Sequence, residues 1–507
     1  MSSFLNRREF SLVFVTVLIG FVLIPSLNAF TKEQHWLHIS TFSLSLYGKY
    51  LTYAVLALGV NLLWGYTGIL SLGQSLFFSL GGYCIGMHMM MNLGWLGQYH
   101  EAIPDFMVFL EFPNRFPETG GFPPHWIPFK NISFTILMVF LIPGFVAGVF
   151  GYLAFRSRIK GVYFSILSQA LTYAACLMFF RNDFTFGGNN GLTDFKYLIG
   201  NPSLIVADIS EPILFGKSLN SGDGELSKFL FNQLQLTNQR NLVVALGQTN
   251  SLRVASILCE SLNRITATSA IYKEERFTKS SLTPDLKSEI LLEPRDSRLL
   301  MLNRRLLEVA FPRYIIKSRF LGLRLNDPAI KRYLFVCSVF LLLMTYLFCK
   351  WLTKSRFGLV QRAVRDSESR VLYSGYATSD FKLVVFIAAA VISGLGGALF
   401  VPQVGIINPS EMGADRSIEA VIWVAVGGRG NLLGPILGAI GVNALKSYCT
   451  HVFPEQWPYI LGGLFIFVTI VMPNGLIGLP AQLIYCKSFL FKKYLELRES
   501  SGFKANR

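Results

Sequence analysis

No Asp, Glu, Lys or Arg occurs between Leu51 and His100. A stretch that long without charge is foreign to a soluble domain. It has room for two membrane-spanning helices of about 20 residues each. Its centre is small and polar: Trp64-Gly65-Tyr66-Thr67-Gly68-Ile69-Leu70-Ser71-Leu72-Gly73-Gln74. Irregular backbone at membrane depth is tolerated only where it is buried in protein or lines a wet cavity. The pattern therefore points to a polytopic membrane protein with a solute pathway. Hydrophobic residues at 52%, charged residues at 15% and a mean hydropathy of +0.45 exclude a disordered chain and argue against a soluble enzyme. A net charge of +16 would suit nucleic acid in a soluble protein. No basic, aromatic-interleaved module is present, however, and Lys and Arg beside spans hold loops in the cytoplasm.

Further charge-free segments lie between Glu9 and Lys32, Lys130 and Arg156, Lys160 and Arg181, Arg332 and Lys350, Lys382 and Glu411, and Glu455 and Lys487. A glycine-rich segment from Arg416 to Lys446 is interrupted by Glu419 and Arg429. Arg7-Arg8, Arg156–Lys160, Lys354–Arg356 and Lys487–Lys493 are expected in the cytoplasm. Alternating crossings satisfy all four only if Ser417–Gly428 and Leu432–Tyr448 are two short crossings joined at Arg429-Gly430-Asn431. The expected fold is thus an all-α polytopic membrane protein of about ten transmembrane helices, some short or glycine-interrupted. Leu27-Asn28-Ala29 could end a signal peptide, but the apolar stretch from Phe10 to Phe30 is long for one and reads as a retained helix.

Four regions follow. Residues 1–216 form an N-terminal transmembrane half with an external loop at 92–131. Residues 217–320 carry 16 Lys/Arg against 10 Asp/Glu and read as a soluble insert, helical (Asp285–Glu308 is amphipathic) or partly disordered. Residues 321–486 form a C-terminal transmembrane half with a cytoplasmic helix at 356–375, and 487–507 a cytoplasmic tail.

Buried polar side chains in a bilayer are costly unless they face a cavity or a partner. Tyr66, Thr67, Ser71 and Gln74 are therefore candidates for lining the pathway, with a helix–helix hydrogen bond as the alternative for Gln74. Asn189 and Asn190, in Gly187–Asp194, form either a surface turn or a gate of amide and backbone groups. Gln403 and Asn408, in Val401–Ser410, and the break at Gly427–Asn431 mark the interrupted segments that signal binding sites in transporters. Between Lys354 and Lys382, apolar positions 359, 360, 363 and 364 fit one helical face, and Gly375 reads as a helix stop. That helix is either a solvated juxtamembrane element or one that docks into another subunit, apolar face first. No phosphate-binding G-x-x-x-x-G-K-[ST] occurs, so ATP-driven work needs a partner. Seven Cys without a C-x-x-C pair and six scattered His imply no metal and no cofactor.

Six stretches in order carry a resemblance: Trp64–Tyr83, Gly161–Tyr173, Phe186–Lys196, Arg356–Tyr376, Val401–Met412 and Val421–Gly438. With them the chain resembles the permeases of branched-chain amino acid and urea ABC importers. Through Phe186–Asp194 and Gln403–Met412 it looks most like the urea-type subunit. The resemblance implies a bacterial inner-membrane subunit that is not itself an enzyme. It implies a second permease, two ATPase subunits and a periplasmic binding protein as partners. It also implies an ATPase-docking role for Arg362, Arg365, Asp366, Glu368 and Gly375. A neutral solute such as urea suits a path lined by Ser71, Gln74 and Gln403. A branched-chain amino acid would want charge, which Glu419 or Arg429 could supply. A channel or secondary transporter acting alone is the rival from another class. A third is an insert with a partner of its own.

Overall fold

The computed structural model describes residues 7–31, 35, 37–93, 103–159, 161–199, 323–453, 455–472 and 475–478, together with strand segments at 204–209, 244–246, 289–292 and 314–318. The tail at 487–507 and most of 217–320 lie outside the described residues. The chain divides into two compact units, one of residues 1–91, 106–195 and 326–507 and one of residues 92–105 and 196–325.

The first unit is helical. Helix α1 (Arg7–Val17) passes through a π-helical turn (Leu18–Leu23) into α2 (Ile24–Phe30). The wide turn precedes Pro25, which cannot donate to the helical ladder. Then come α3 (Thr41–Thr67), α4 (Gln74–Met91), the short α5 (Asp105–Phe109) and α6 (Phe112–Arg115), α7 (Ile132–Arg156) and α8 (Val162–Phe180). After the second unit follow α9 (Pro328–Lys354), α10 (Arg356–Tyr373), α11 (Thr378–Val404), α12 (Ala414–Gly427), α13 (Leu433–Val452) and α14 (Trp457–Val471). Among the described residues, six of these segments are long and apolar enough to cross a membrane, and α4, α12, α13 and α14 are further apolar helices.

Cross-helix contacts fix the directions. Gly396 of α11 faces Thr52 of α3, and Gly59 of α3 faces Ala389, so the two run antiparallel. Gly394 meets Pro143 of α7 while Gly151 meets Leu383, which makes α7 antiparallel to α11 as well. Tyr50 bonds Ser447 and Asn61 bonds Asn431, which sets α13 antiparallel to α3. Gly20 against Val339 and Asn28 against Arg332 set the first span antiparallel to α9. Lys331 at the start of α9 donates to the Pro402 carbonyl at the end of α11, so α9 also runs antiparallel to α11, and α3, α7 and α9 end on one face. Arg156, Lys354 and Arg356 sit on that face, the Thr67 face, which the positive-inside rule makes cytoplasmic.

Helix α11 is the centre of the unit, packed on α3, α4 and α7. Close approach there depends on glycine. A Cβ at Gly397 would collide with the Phe78 carbonyl, and one at Gly81 with the Gly394 backbone. Small residues at such crossings let backbones touch where lipid offers no hydrophobic drive between helices.

The second unit holds strands. β1 (Tyr197–Ile199) pairs antiparallel with β6 (Leu323–Arg324). A separate four-stranded sheet has the order β3 (Val244–Leu246), β4 (Glu289–Leu292), β2 (Leu204–Ile209), β5 (Tyr314–Ser318), antiparallel except for β3–β4. Within the amphipathic stretch Asp285–Glu308, in the insert read as helical or partly disordered, residues Glu289–Leu292 are a strand. The run Ile290-Leu291-Leu292 suits a paired strand as well as a helix, and short apolar runs do not separate the two by period.

Candidate functional site

Two long helices share one design. α3 and α11 each have 27 residues and each ends on a left-handed glycine, Gly68 (φ 76°) and Gly405 (φ 84°). Each is followed by irregular chain and a shorter helix, α4 with 18 residues and α12 with 14. Because α3 and α11 are antiparallel, the two pairs have inverted topology. The N-termini of α4 and α12 meet: the Ser75 amide donates to Ser417 Oγ (3.3 Å), the two hydroxyls bond each other, and Ser75 Oγ donates to the Met412 carbonyl (3.2 Å). Fourteen residues of helix rise about 21 Å, short of a membrane core. Helix α12 is therefore a half-helix that starts inside the bundle, and its dipole and that of α4 present positive ends at the same place.

The predicted pathway residues fall into three groups. Thr67 is buried at the Thr67 face, where Gln361 Nε2 donates to its hydroxyl (2.7 Å), and Tyr66 is half-buried beside it. Ser71, Gln74 and Gln403 are 2%, 0% and 3% exposed and are turned onto protein partners. Ser71 Oγ accepts from the Gly73 amide (3.3 Å), Gln74 Oε1 from Ser393 of α11 (3.0 Å), and Gln403 Nε2 donates to Ser338 of α9 (3.2 Å). Gln74 thus makes the helix–helix bond. Its Nε2, like Gln403 Oε1, has no hydrogen-bond partner among the described residues. Asn189 and Asn190 are exposed on a 3₁₀ turn (Gly188–Asn190), and Asn408 Oδ1 accepts from Ser410 (2.6 Å). A two-way backbone bridge between Leu192 and Ile407 ties these two loops together.

A group of ionised side chains lies nearer the Thr41 face. Arg416 donates to Glu411 (2.9 Å) and Glu419 (3.2 Å), and Lys446 donates to the other oxygen of Glu419 (2.6 Å). Arg416, Lys446 and Lys49 line a cavity of about 520 Å³ with Tyr50 and Tyr53 of α3. Of these, only Glu419 is a candidate in the sequence. Two signals were there to read: the i,i+3 spacing of Arg416 and Glu419, and Lys49 as the charge that closes the run before Leu51. Arg429, the other charged candidate, lies over the Trp64 ring at the opposite face, 5.5 Å from its centroid.

At the Thr67 face, α10 is not one continuous helix. It breaks at Ser367 (φ −160°, ψ 90°) and ends at Gly375 (φ 85°). Ser355 caps its start, accepting from the Gly358 amide (3.2 Å). Its buried face carries Gly358, Gln361, Val364 and Val371 and packs on the same chain, whereas Leu359 is 57% exposed. The apolar face expected at 359, 360, 363 and 364 is therefore rotated, because the end of α3 takes the Gln361 side. Gln361 donates to the Leu62 carbonyl (3.1 Å) and Arg365 to the Gly65 carbonyl (2.9 Å). Glu368 is tied to Lys382 and Thr378, Asp366 is paired with Arg365 but exposed, and Arg362 donates to the Gly358 carbonyl (3.4 Å). A pocket of about 200 Å³ opens between Gly68, Phe164, Arg365, Asp366 and Lys382.

Long apolar helices, two of them ending on glycine before a shorter helix, with a polar helix on one face, define a polytopic helical membrane protein. The chain belongs to the family described as branched-chain amino acid transport system / permease component, whose model matches residues 43–470. It is a multi-pass membrane protein. It is 24% identical over 171 residues to the high-affinity branched-chain amino acid transport system permease protein LivM of Salmonella typhimurium, covering 34% of this chain and 40% of that one. It is 26% identical over 131 residues to the corresponding protein BraD of Pseudomonas aeruginosa, covering 26% and 42%. Against LivH of Escherichia coli it is 24% identical over 127 residues, covering 25% and 41%. The chain thus spans about two fifths of the length of the curated relatives it matches. No solved structure matches it significantly.

Proposed function

We propose that this chain is the membrane subunit of an ATP-binding-cassette importer in the bacterial inner membrane, moving a small polar solute by alternating access. The observation that carries the reading is the meeting of the N-terminus of α4 with that of the half-helix α12, at Ser75 and Ser417, beside ionised side chains inside the bundle. Half-helices ending at mid-membrane are where transporters hold polar solutes. A second permease, two ATPase subunits and a periplasmic binding protein complete the assembly. In it, Arg362, Arg365, Asp366 and Gly375 lie on the face offered to the ATPases, and Glu368 holds that face to α11 through Lys382.

Urea is the solute the sequence resemblance puts first. Its predicted neutral lining, Ser71, Gln74 and Gln403, is closed onto protein partners. The charged cavity at Lys49 and Arg416 favours the other reading, a branched-chain amino acid, which is also the solute in the names of the relatives. Uptake of labelled urea and of labelled leucine by cells expressing the whole importer, with active or inactivated ATPases, tests both. ATPase-dependent uptake of either solute supports the importer. Uptake that persists with dead ATPases overturns it in favour of a passive channel.

A further inference from the structure

Three cations and two carboxylates share the group around Arg416. Arg416 and Lys446 are neutralised by Glu411 and Glu419 through direct bonds of 2.6–3.2 Å. Lys49 is left over. Its ammonium lies 5.7 Å from the Tyr53 ring centroid and 5.9 Å from that of Phe400; the fields of Glu411 and Glu419 reach it, opposed by those of Arg416 and Lys446, but among the described residues it makes no direct bond to a carboxylate. Lys49 stands eight residues into α3, about 12 Å from the Thr41 end. A half-buried cation held on aromatic rings is weakly compensated there. It lines the 520 Å³ cavity, a volume in the range of small-molecule sites. The same cavity offers Phe42 and Leu46 as an apolar wall and Tyr50, Asn443 and Ser447 as polar groups. The Tyr53 hydroxyl, on the same wall, has no hydrogen-bond partner among the described residues.

We infer that this cavity is a binding subsite for one oxyanion, the carboxylate of a small apolar solute, with Lys49 as its counter-ion. The inference rests on the importer reading and deepens it. The existing pairs already balance Arg416 and Lys446, so the surplus single charge selects a monoanionic group and leaves a neutral amide such as urea without an electrostatic partner. The same chemistry would serve the phosphate of an anionic lipid, since Phe42 is 76% exposed at the mouth.

The test uses the full chain in lipid nanodiscs, with Thr450→Cys on the cavity wall labelled by a membrane-impermeant maleimide. Leucine is expected to slow labelling, and leucinamide and urea to leave it unchanged. In Lys49→Gln the leucine concentration giving half protection rises roughly tenfold or more, the scale of one hydrogen bond to a charged group. Lys49→Arg keeps protection, which shows that charge rather than fold is lost. Equal protection by leucinamide, full protection in Lys49→Gln, or protection by phosphatidylglycerol without leucine each overturns the subsite. ATPase-dependent uptake is followed in parallel. Uptake intact without leucine protection removes the subsite alone, whereas no ATPase-dependent uptake of either solute removes the importer reading.

Discussion

At Gly397 a single methyl group decides whether α11 and α4 can touch. A Cβ there would run into the Phe78 carbonyl, which belongs to helix backbone and cannot swing aside. Gly397→Ala is expected to cost about 1–3 kcal/mol, as overpacking does, and to lower the melting temperature in detergent. Gly441, inside α13 with nothing within 4 Å of its Cβ position, is the control: Gly441→Ala should not destabilise and should gain up to about 1 kcal/mol of helix propensity. Equal melting temperatures for the two variants would remove the close-approach argument. Residue by residue, the sequence marks which polar groups are buried but not what they face. Gln74 is legible as a costly amide inside an apolar run, yet its partner Ser393 lies 319 residues away and nothing local announces it. Lys49 is legible only as the end of the charge-free run. Its role depends on Arg416 and Lys446, brought to it by α12 and α13.

At the scale of elements, hydropathy is the strongest signal, and it locates the long spans because a charge at mid-membrane is expensive. It also separates α12 from α13 at Gly428–Leu432, where parity demands a turn. The start of α12 inside the bundle was not legible, since a half-helix and a short crossing have the same composition. In α10 the amphipathic period survives but its phase does not: one break at Ser367 and two anchors, Gln361 and Arg365, rotate it. This separates two residues that sequence groups together. Glu368 and Lys382 are 22% and 10% exposed and join α10 to α11, whereas Asp366 is 66% exposed. Glu368→Gln should therefore lower thermal stability by about 1–3 kcal/mol, the cost of orphaning a partly buried ionic partner. Asp366→Asn should leave stability within about 0.5 kcal/mol while reducing ATPase-dependent uptake. Normal uptake in Asp366→Asn would remove that residue from the docking face. A stable Glu368→Gln protein would mean that the pair to Lys382 does not hold α10.

In the whole molecule, Glu411, Arg416, Glu419 and Lys446 join the turn at Pro409–Met412, α12 and α13. These elements follow the break after α11, so the ionic chain holds the half-helix where glycine and short length give it little intrinsic anchorage. Glu419 is its hinge, with one oxygen on Arg416 and the other on Lys446, at 11% side-chain exposure. Removing the carboxylate leaves two cations with one counter-charge between them. Breaking a buried pair costs about 3–5 kcal/mol, and the partial exposure of Arg416 (30%) and Lys446 (25%) brings the expectation for Glu419→Gln to the lower part of that range. Adding Lys446→Met removes one of the stranded charges. The double variant should then recover at least about 0.5 kcal/mol of that loss, the threshold above which two sites count as coupled. Chemical denaturation of the single and double variants in detergent measures this directly. Strictly additive losses would mean that Lys446 is already solvated and that Arg416 alone ties α12 to Glu419.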